Sequence, residues 1–139
     1  TIDCQGELRI PNQYNPKIVY RFLDWKKHGP TNLIKAIAES CDVYFYRLAG
    51  GYGQQNGLGV KKIKKYLKLF GLGEKTGIDL PNEKNGLIPD PEWKKQTKKE
   101  KWYIGDTYHL GIGQGDLLVT PLQIAVATSV IANEGTLYQ

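Results

Sequence analysis

Trp102-Tyr103-Ile104-Gly105-Asp106-Thr107-Tyr108-His109-Leu110-Gly111-Ile112-Gly113-Gln114-Gly115 runs on toward Thr120-Pro121-Leu122-Gln123 near the end of the chain. Gly105, Gly111, Gly113 and Gly115 fall within eleven residues. Such a density is costly inside a helix or a central strand, because glycine loses the most backbone freedom on folding. The expectation is an irregular segment whose backbone approaches another element closely, the wall of a site. Thr120 stands as an N-cap, with Pro121 at the first helical position and Gln123 three residues past the cap, so a helix starts there. Ile124 to Ile131 is apolar nearly all round and Gly135 follows, which predicts a helix buried on most sides that stops at the glycine.

Toward the N-terminus, Trp93 to Lys101 fits one or two basic helical turns. Gly71-Leu72-Gly73-Glu74-Lys75-Thr76-Gly77-Ile78-Asp79-Leu80-Pro81 is glycine-rich, ends in a short strand-like piece and gives way to a polar loop reaching Pro91. Between Gly57–Gly59 and Gly71, Val60, Ile63, Leu67 and Phe70 recur at helical spacing, predicting an amphipathic helix with its lysines outward. A longer helix is expected over Asn32 to Ala49, with Thr31 as N-cap and Leu33, Ile37, Cys41, Tyr44, Phe45 and Leu48 on one inward stripe. Trp25-Lys26-Lys27-His28-Gly29-Pro30 breaks regular structure, and residues 1 to 24 read as two short strands or extended segments joined by a polar loop.

Composition sets the class. With 139 residues, 40% hydrophobic and 24% charged, the chain suits one soluble domain or part of one. No apolar run approaches the roughly 18 residues of a membrane span. The chain opens on Thr1-Ile2-Asp3, has no methionine and stops at Gln139 just past a predicted helix end, so an internal fragment, a single partial domain over residues 1–139, is expected. The net charge is +5, with lysines bunched at Lys61, Lys62, Lys64, Lys65 and at Lys94, Lys95, Lys98, Lys99, Lys101. Interleaved apolar residues make these solvated helix faces; the alternative is a basic module gripping nucleic acid or an anionic polymer, although no nucleic-acid motif accompanies them. Cys4 and Cys41 are the only cysteines, so they stand singly or act as ligands rather than forming a disulfide framework.

In chain order, Ala38-Glu39-Ser40-Cys41-Asp42-Val43-Tyr44-Phe45-Tyr46, Phe70-Gly71-Leu72-Gly73-Glu74-Lys75-Thr76-Gly77-Ile78-Asp79-Leu80, Pro91-Glu92-Trp93-Lys94, Trp102-Tyr103-Ile104-Gly105-Asp106-Thr107 and Gly111-Ile112-Gly113-Gln114-Gly115 through Gln123 form a series. This series resembles the transpeptidase domain of class B penicillin-binding proteins, most of all the elongation-type branch, penicillin-binding protein 2. The resemblance implies a mainly α fragment of the α+β serine β-lactamase/transpeptidase-like fold. It implies a parent peptidoglycan D,D-transpeptidase that takes stem peptides and β-lactams, sits on the periplasmic side of the inner membrane through an anchor outside this chain, and works with the cell-elongation machinery. Nucleic acid is not among the partners it implies.

The family's three active-site motifs are Ser-x-x-Lys, Ser-x-Asn or Ser-x-Asp, and Lys-Thr-Gly. Ser40-Cys41-Asp42 matches the second, which implies that Ser40 relays protons between the two motif lysines and that Asp42 positions the peptide stem. Neither Ser40 nor Ser129 has lysine three residues on, so the nucleophile motif is missing and the fragment alone should be inert. Lys75-Thr76-Gly77 is spelled like the third motif, but it occupies the place of a structural loop in the family and is read as a decoy. Gly113-Gln114-Gly115 resembles a loop that braces the active-site floor, with Asp106 and His109 structural.

Cys4, Asp24, His28 and Cys41 bring thiolate, imidazole and carboxylate together, a zinc-type ligand set. The resemblance implies such a structural zinc site from Asp24, His28 and Cys41, completed by Cys4 or, alternatively, by Asp3.

Overall fold

In the computed structural model, which describes residues 1–137, the N-terminal segment forms two antiparallel strand pairs. β1 (Ile2–Cys4) pairs with β4 (Gly29–Thr31), and β2 (Glu7–Pro11) with β3 (Val19–Leu23). Alternation sets the faces of the second pair. Leu8 is buried opposite the half-buried Phe22, while Glu7 on the other face is held by Arg9 and Arg21, 2.5 and 2.6 Å away. The hairpin turns because the Asn12 side chain accepts the amides of Tyr14 and Asn15, an Asx turn. The register of the first pair sets Cys4 opposite Gly29, next to His28.

The single helix expected over 32–49 is instead two, α1 (Leu33–Ala38) and α2 (Asp42–Gly50). Asn32, not Thr31, is the N-cap of α1, accepting the Lys35 amide, and Ser40 breaks the run with φ +52°. That break resets the helical phase, so the inward stripe differs from the expected one. Ala36, Val43, Tyr46 and Ala49 are buried with Cys41, whereas Ile37 is 66% exposed and Leu33 and Leu48 are also exposed. A short hairpin follows, β5 (Gly51–Tyr52) with β6 (Gln55–Asn56), then α3 (Gly59–Leu69), whose Val60, Ile63, Leu67 and Phe70 are half-buried as expected. Ile78-Asp79-Leu80 forms no strand; it is an exposed bend in a loop. α4 (Pro91–Lys98) is the basic helix, capped by Asp90, whose side chain accepts the Trp93 amide at 2.7 Å.

The glycine-rich stretch departs most from expectation, because it contains a helix, α5 (Ile104–Gly111). Its glycines do mark close approach. A Cβ at Gly111 would overlap the Ala49 methyl and lie 3.1 Å from the Phe45 carbonyl oxygen, both on α2. Gly50 answers from the other side, where a Cβ would run into the Tyr108 ring, whose hydroxyl donates to the Gly51 carbonyl at 2.9 Å. Phe22 packs edge to face on Tyr108 and Tyr46 around this crossing, with Tyr46 tilted against Tyr108 and ring centroids 4.9–5.9 Å apart. The core thus joins α2, α5 and the hairpin, with Cys4, Leu8, Ala36, Cys41, Val43, Tyr46 and Tyr108 buried together.

α6 (Pro121–Ala132) begins on the expected capping box, with Thr120 and Gln123 bonding each other's amides at 3.1 and 3.0 Å. Its burial does not follow expectation. Among the described residues only Gln123 and Val130 of this helix are buried within this chain, and Ile131 is 74% exposed, so most of its apolar surface meets no partner from these residues. Gln123 anchors it, donating to the carbonyls of Glu74 and Asn85 at 2.7 and 2.8 Å.

Candidate active site and metal-ligand cluster

Ser40 sits on a one-residue left-handed turn between α1 and α2. The turn closes through Glu39 N–H to Lys35 O at 2.8 Å and Cys41 N–H to Ala36 O at 3.0 Å. A non-glycine residue at φ +52° costs on the order of 1 kcal/mol, so the surroundings must hold it there. The result is an exposed serine immediately before a buried residue, Cys41, and a half-buried one, Asp42, the first residue of α2. Burial, then the neighbouring Asp24 carboxylate, raises the Asp42 carboxyl above its ordinary value.

Asp24, the residue after β3, is the hub beneath this turn, and its side chain is fully buried. Its Oδ2 accepts the Val43 amide at 3.0 Å and the thiols of Cys41 and Cys4 at 3.3 and 3.4 Å. Its Oδ1 accepts the Trp25 amide at 2.9 Å and faces His28 Nε2 at 3.2 Å. Burial works to raise the Asp24 carboxyl, but these donors outweigh it and hold the group below its ordinary value. Burial, with the Asp24 carboxylate adding to it, pushes the Cys41 thiol up to about 12. His28 Nδ1 in turn lies 3.0 Å from Glu39 Oε2, and Lys26 reaches the same oxygen at 3.0 Å. The hydrogen bonds from His28 and then Lys26 bring the Glu39 carboxyl down to about 2.

The sulfurs of Cys4 and Cys41 and an Asp24 oxygen all lie within 4.8 Å of one another. Neighbouring sulfur and oxygen ligands on a tetrahedral zinc ion stand roughly 3.5 Å apart, from metal–ligand lengths of about 2.3 and 2.0 Å. The Sγ···Oδ2 separations of 3.3 and 3.4 Å match that edge, and His28 joins through the second Asp24 oxygen. Three of the four expected ligands, Cys4 from β1, Asp24 from the loop after β3 and Cys41 from the start of α2, therefore converge on one point, and His28 stands beside them against the other Asp24 oxygen. Asp3 does not converge with them: it is exposed and bonded by the Gln5 side chain.

Residues 10–139 match the penicillin binding protein transpeptidase domain. The chain belongs to that family. Over 138 residues it is 49% identical to the peptidoglycan D,D-transpeptidase MrdA of Acinetobacter baumannii, covering 97% of this chain and 20% of that protein. Penicillin-binding protein 2 of Helicobacter pylori, in a structure described as its complex with MreC, superposes with a TM-score of 0.82 at 40% identity, over 96% of this chain and 23% of that one. Penicillin-binding protein 2 of Pseudomonas aeruginosa, in complex with WCK 5153, gives 0.81 at 34% identity, over 97% and 29%. The chain thus spans about a fifth of the curated relative and has the serine β-lactamase-like transpeptidase fold of these structures.

Within this transpeptidase-domain segment, Lys75-Thr76-Gly77 lies in a loop and not on a strand. Thr76 gives its amide and hydroxyl to Glu83 Oε1, both at 2.6 Å, and Lys75 is exposed. Gly113 and Gly115 take φ +72° and +80° at the end of α5, beside a small cleft lined by Pro89, Trp102, His109 and Asp116. Among the described residues no hydrogen bond joins this loop to Ser40 or Asp42.

Three contributors escape sequence reasoning. Glu39 and Trp25 pack around the ligand set, the only hint being their adjacency to Ser40 and Asp24. Lys94 belongs to a run read as solvated, yet it is buried, with its ammonium 2.9 Å from both oxygens of Asp106. Asp106 also accepts the Tyr103 amide at 2.7 Å, capping α5. No helix of the described residues is long and apolar enough to cross a membrane.

Proposed function

We propose that this chain is the part of a peptidoglycan D,D-transpeptidase that carries its second active-site motif. The whole protein cross-links cell-wall stem peptides through a serine acyl-enzyme, and penicillins acylate the same serine. The observation that carries this reading is the Ser40 turn: an exposed hydroxyl in a strained conformation, fixed over a buried hub, in a chain 49% identical to a D,D-transpeptidase. Strain held this way is a mark of functional sites. Acyl transfer needs an activated serine and a proton path between base and leaving group. Ser40 supplies a link in that path, and Asp42 orients the stem peptide from the first turn of α2.

Neither serine of the chain has lysine three residues on, since Val43 follows Ser40 and Ala132 follows Ser129. The nucleophile and the third-motif lysine therefore come from elsewhere in the parent. Fluorescent penicillin should label the full-length protein covalently and leave these 139 residues unlabelled; a labelled fragment would contradict the assignment. In the full-length protein Ser40→Ala should slow acylation at least about a hundredfold, the scale of a lost proton-transfer group.

Cys4, Asp24, His28 and Cys41 hold one zinc ion in a structural role. Four protein ligands leave no open position for chemistry, so the ion's contribution when bound is to cross-link the N-terminal strands to the helix that follows Ser40. Protein purified without a histidine tag should contain about one equivalent of zinc, and Cys41→Ser should lose it. Less than a few tenths of an equivalent, or unchanged content in the variant, would sink the metal. The parent sits on the periplasmic face of the inner membrane and works with the elongation machinery, a reading supported by the Helicobacter pylori relative solved with MreC.

A further inference from the structure

The Ser40 turn is also gripped from outside its own helices, by a side chain that belongs neither to the Ser-x-Asp motif nor to the ligand set. Trp25 points its indole Nε1–H between two carbonyl oxygens, that of Glu39 at 3.2 Å and that of Ser40 at 3.0 Å. These oxygens lie on the peptide planes either side of the Ser40 Cα. Peptide groups are planar, so fixing both planes fixes the direction of the Ser40 Cα–Cβ bond, and with it where the hydroxyl stands.

The indole is itself held. The Trp25 amide bonds Asp24, the His28 ring meets the indole edge to face at 5.4 Å, and the Lys26 ammonium lies 4.6 Å from the ring centre. Lys26 then closes onto Glu39, the residue before Ser40. Burial alone does not account for this arrangement, because Trp25 is 63% exposed within this chain. Apolar contact is non-directional, so what sets the aim of the indole is the shared N–H.

We propose that Trp25 is a positioning residue for acyl transfer, one that acts through the backbone of Ser40 to hold its hydroxyl in the proton path. This rests on the transpeptidase reading. Without the N–H, the left-handed turn relaxes toward ordinary φ values and the hydroxyl samples directions away from the reacting groups, a loss of preorganisation felt in the chemical step.

The test uses the full-length protein and compares wild type with Trp25→Phe, which keeps an aromatic ring and removes the donor. Stopped-flow acylation by a fluorescent penicillin separates the half-saturating concentration from the first-order acylation constant. The expected result is an acylation constant about tenfold lower, the scale of one lost neutral hydrogen bond, with the half-saturating concentration unchanged within about twofold. Melting temperature and zinc content should stay at the wild-type values. In a Ser40→Ala background the same substitution should change the constant by less than about twofold, because the group it positions is gone.

An unchanged acylation constant overturns the proposal. So does a lower constant accompanied by a fall in melting temperature and zinc content, or an equal loss in both backgrounds, since each marks a merely structural role. If Trp25→Phe does not fold, benzothienylalanine at position 25 keeps the bicyclic shape and removes only the N–H, and the same outcomes apply. A wild-type protein that forms no acyl-enzyme would instead overturn the transpeptidase reading itself.

Discussion

Gly111→Ala sets two opposed effects against each other, and the structure decides between them. In an isolated helix the change should stabilise by up to about 1 kcal/mol, because alanine is the better helix former. At the crossing of α2 and α5, however, the new methyl would overlap the Ala49 methyl and stand 3.1 Å from the Phe45 carbonyl oxygen. Neither neighbour can swing away, since one is a Cβ and the other backbone on the same helix. Overpacking of this kind costs about 1–3 kcal/mol, so the net effect is a loss of up to about 2 kcal/mol. In a thermal scan of the full-length protein that loss lowers the transition of this domain by up to about 4–8 °C. Ala49→Gly removes the principal obstacle, and in that background Gly111→Ala should be neutral or stabilising, a coupling a double-mutant cycle measures directly. A Gly111→Ala protein that melts at or above wild type would refute the close crossing, for then helix propensity alone would have set the sign.

Three other expectations follow from single contacts. Lys94→Ala leaves the half-buried Asp106 carboxylate without its cation and should cost about 2 kcal/mol, part of which Asp106→Asn recovers by removing the stranded charge; no recovery in the double variant would exclude this cause. The Asp90 carboxyl is held below its ordinary value of 3.8, first by the hydrogen bond from Lys64 and then by the Trp93 amide. A depressed carboxyl stabilises fully above the unfolded value and loses that contribution as pH falls through the folded one. Asp90→Asn should therefore be less stable than wild type by under about 1 kcal/mol at neutral pH, a gap that closes below pH 3.8; a gap constant across that range would rule out the ionised pair as its source. Gln123→Leu strips the donors from two carbonyls and should destabilise by about 2–3 kcal/mol, checked by the same thermal scan, whereas a change under about 0.5 kcal/mol would mean water replaces the amide.

Local signals in the sequence carried far and then failed for identifiable reasons. Periodicity and caps located α3, α4 and the start of α6, because those elements are set by residues within a turn of one another. The Ser-x-Asp motif and the four candidate ligands were legible as residue types; the structure clusters Cys4, Asp24 and Cys41 directly beneath Ser40 and sets His28 beside Asp24. Periodicity could not see that Ser40 interrupts a helix, since Leu33 to Leu48 keeps an apolar rhythm across the break and the left-handed turn is held by contacts from the loop after β3. Glycine counting misjudged 104–111 for the opposite reason. Glycine lowers helix propensity by about 1 kcal/mol, but the close crossing it permits with α2 more than offsets that cost. Lys94 was hidden by its neighbours: in a run of lysines nothing local marks the one that faces a carboxylate twelve residues on.

The Asp24 hub explains why the N-terminal strands and the motif helix act as one device. The N-cap of α2 is Cys41, whose side chain makes no capping hydrogen bond, so the first amides of the helix need an acceptor from elsewhere. Asp24 supplies it from nineteen residues away through the Val43 amide, and the same oxygen receives both thiols. A remote N-cap ties helix start to strand end in a way a local serine or asparagine would not, since moving the hairpin then uncaps the helix. The pairing of Cys4 with Gly29 closes the loop from the other side, and Trp25 and Glu39 seal it above. Ser40 is thereby fixed by the strands and loop before it as well as by the α1 carbonyls that close its turn. The long segment from Thr1 to Thr31, with no motif residue of its own, is the scaffold on which the motif depends.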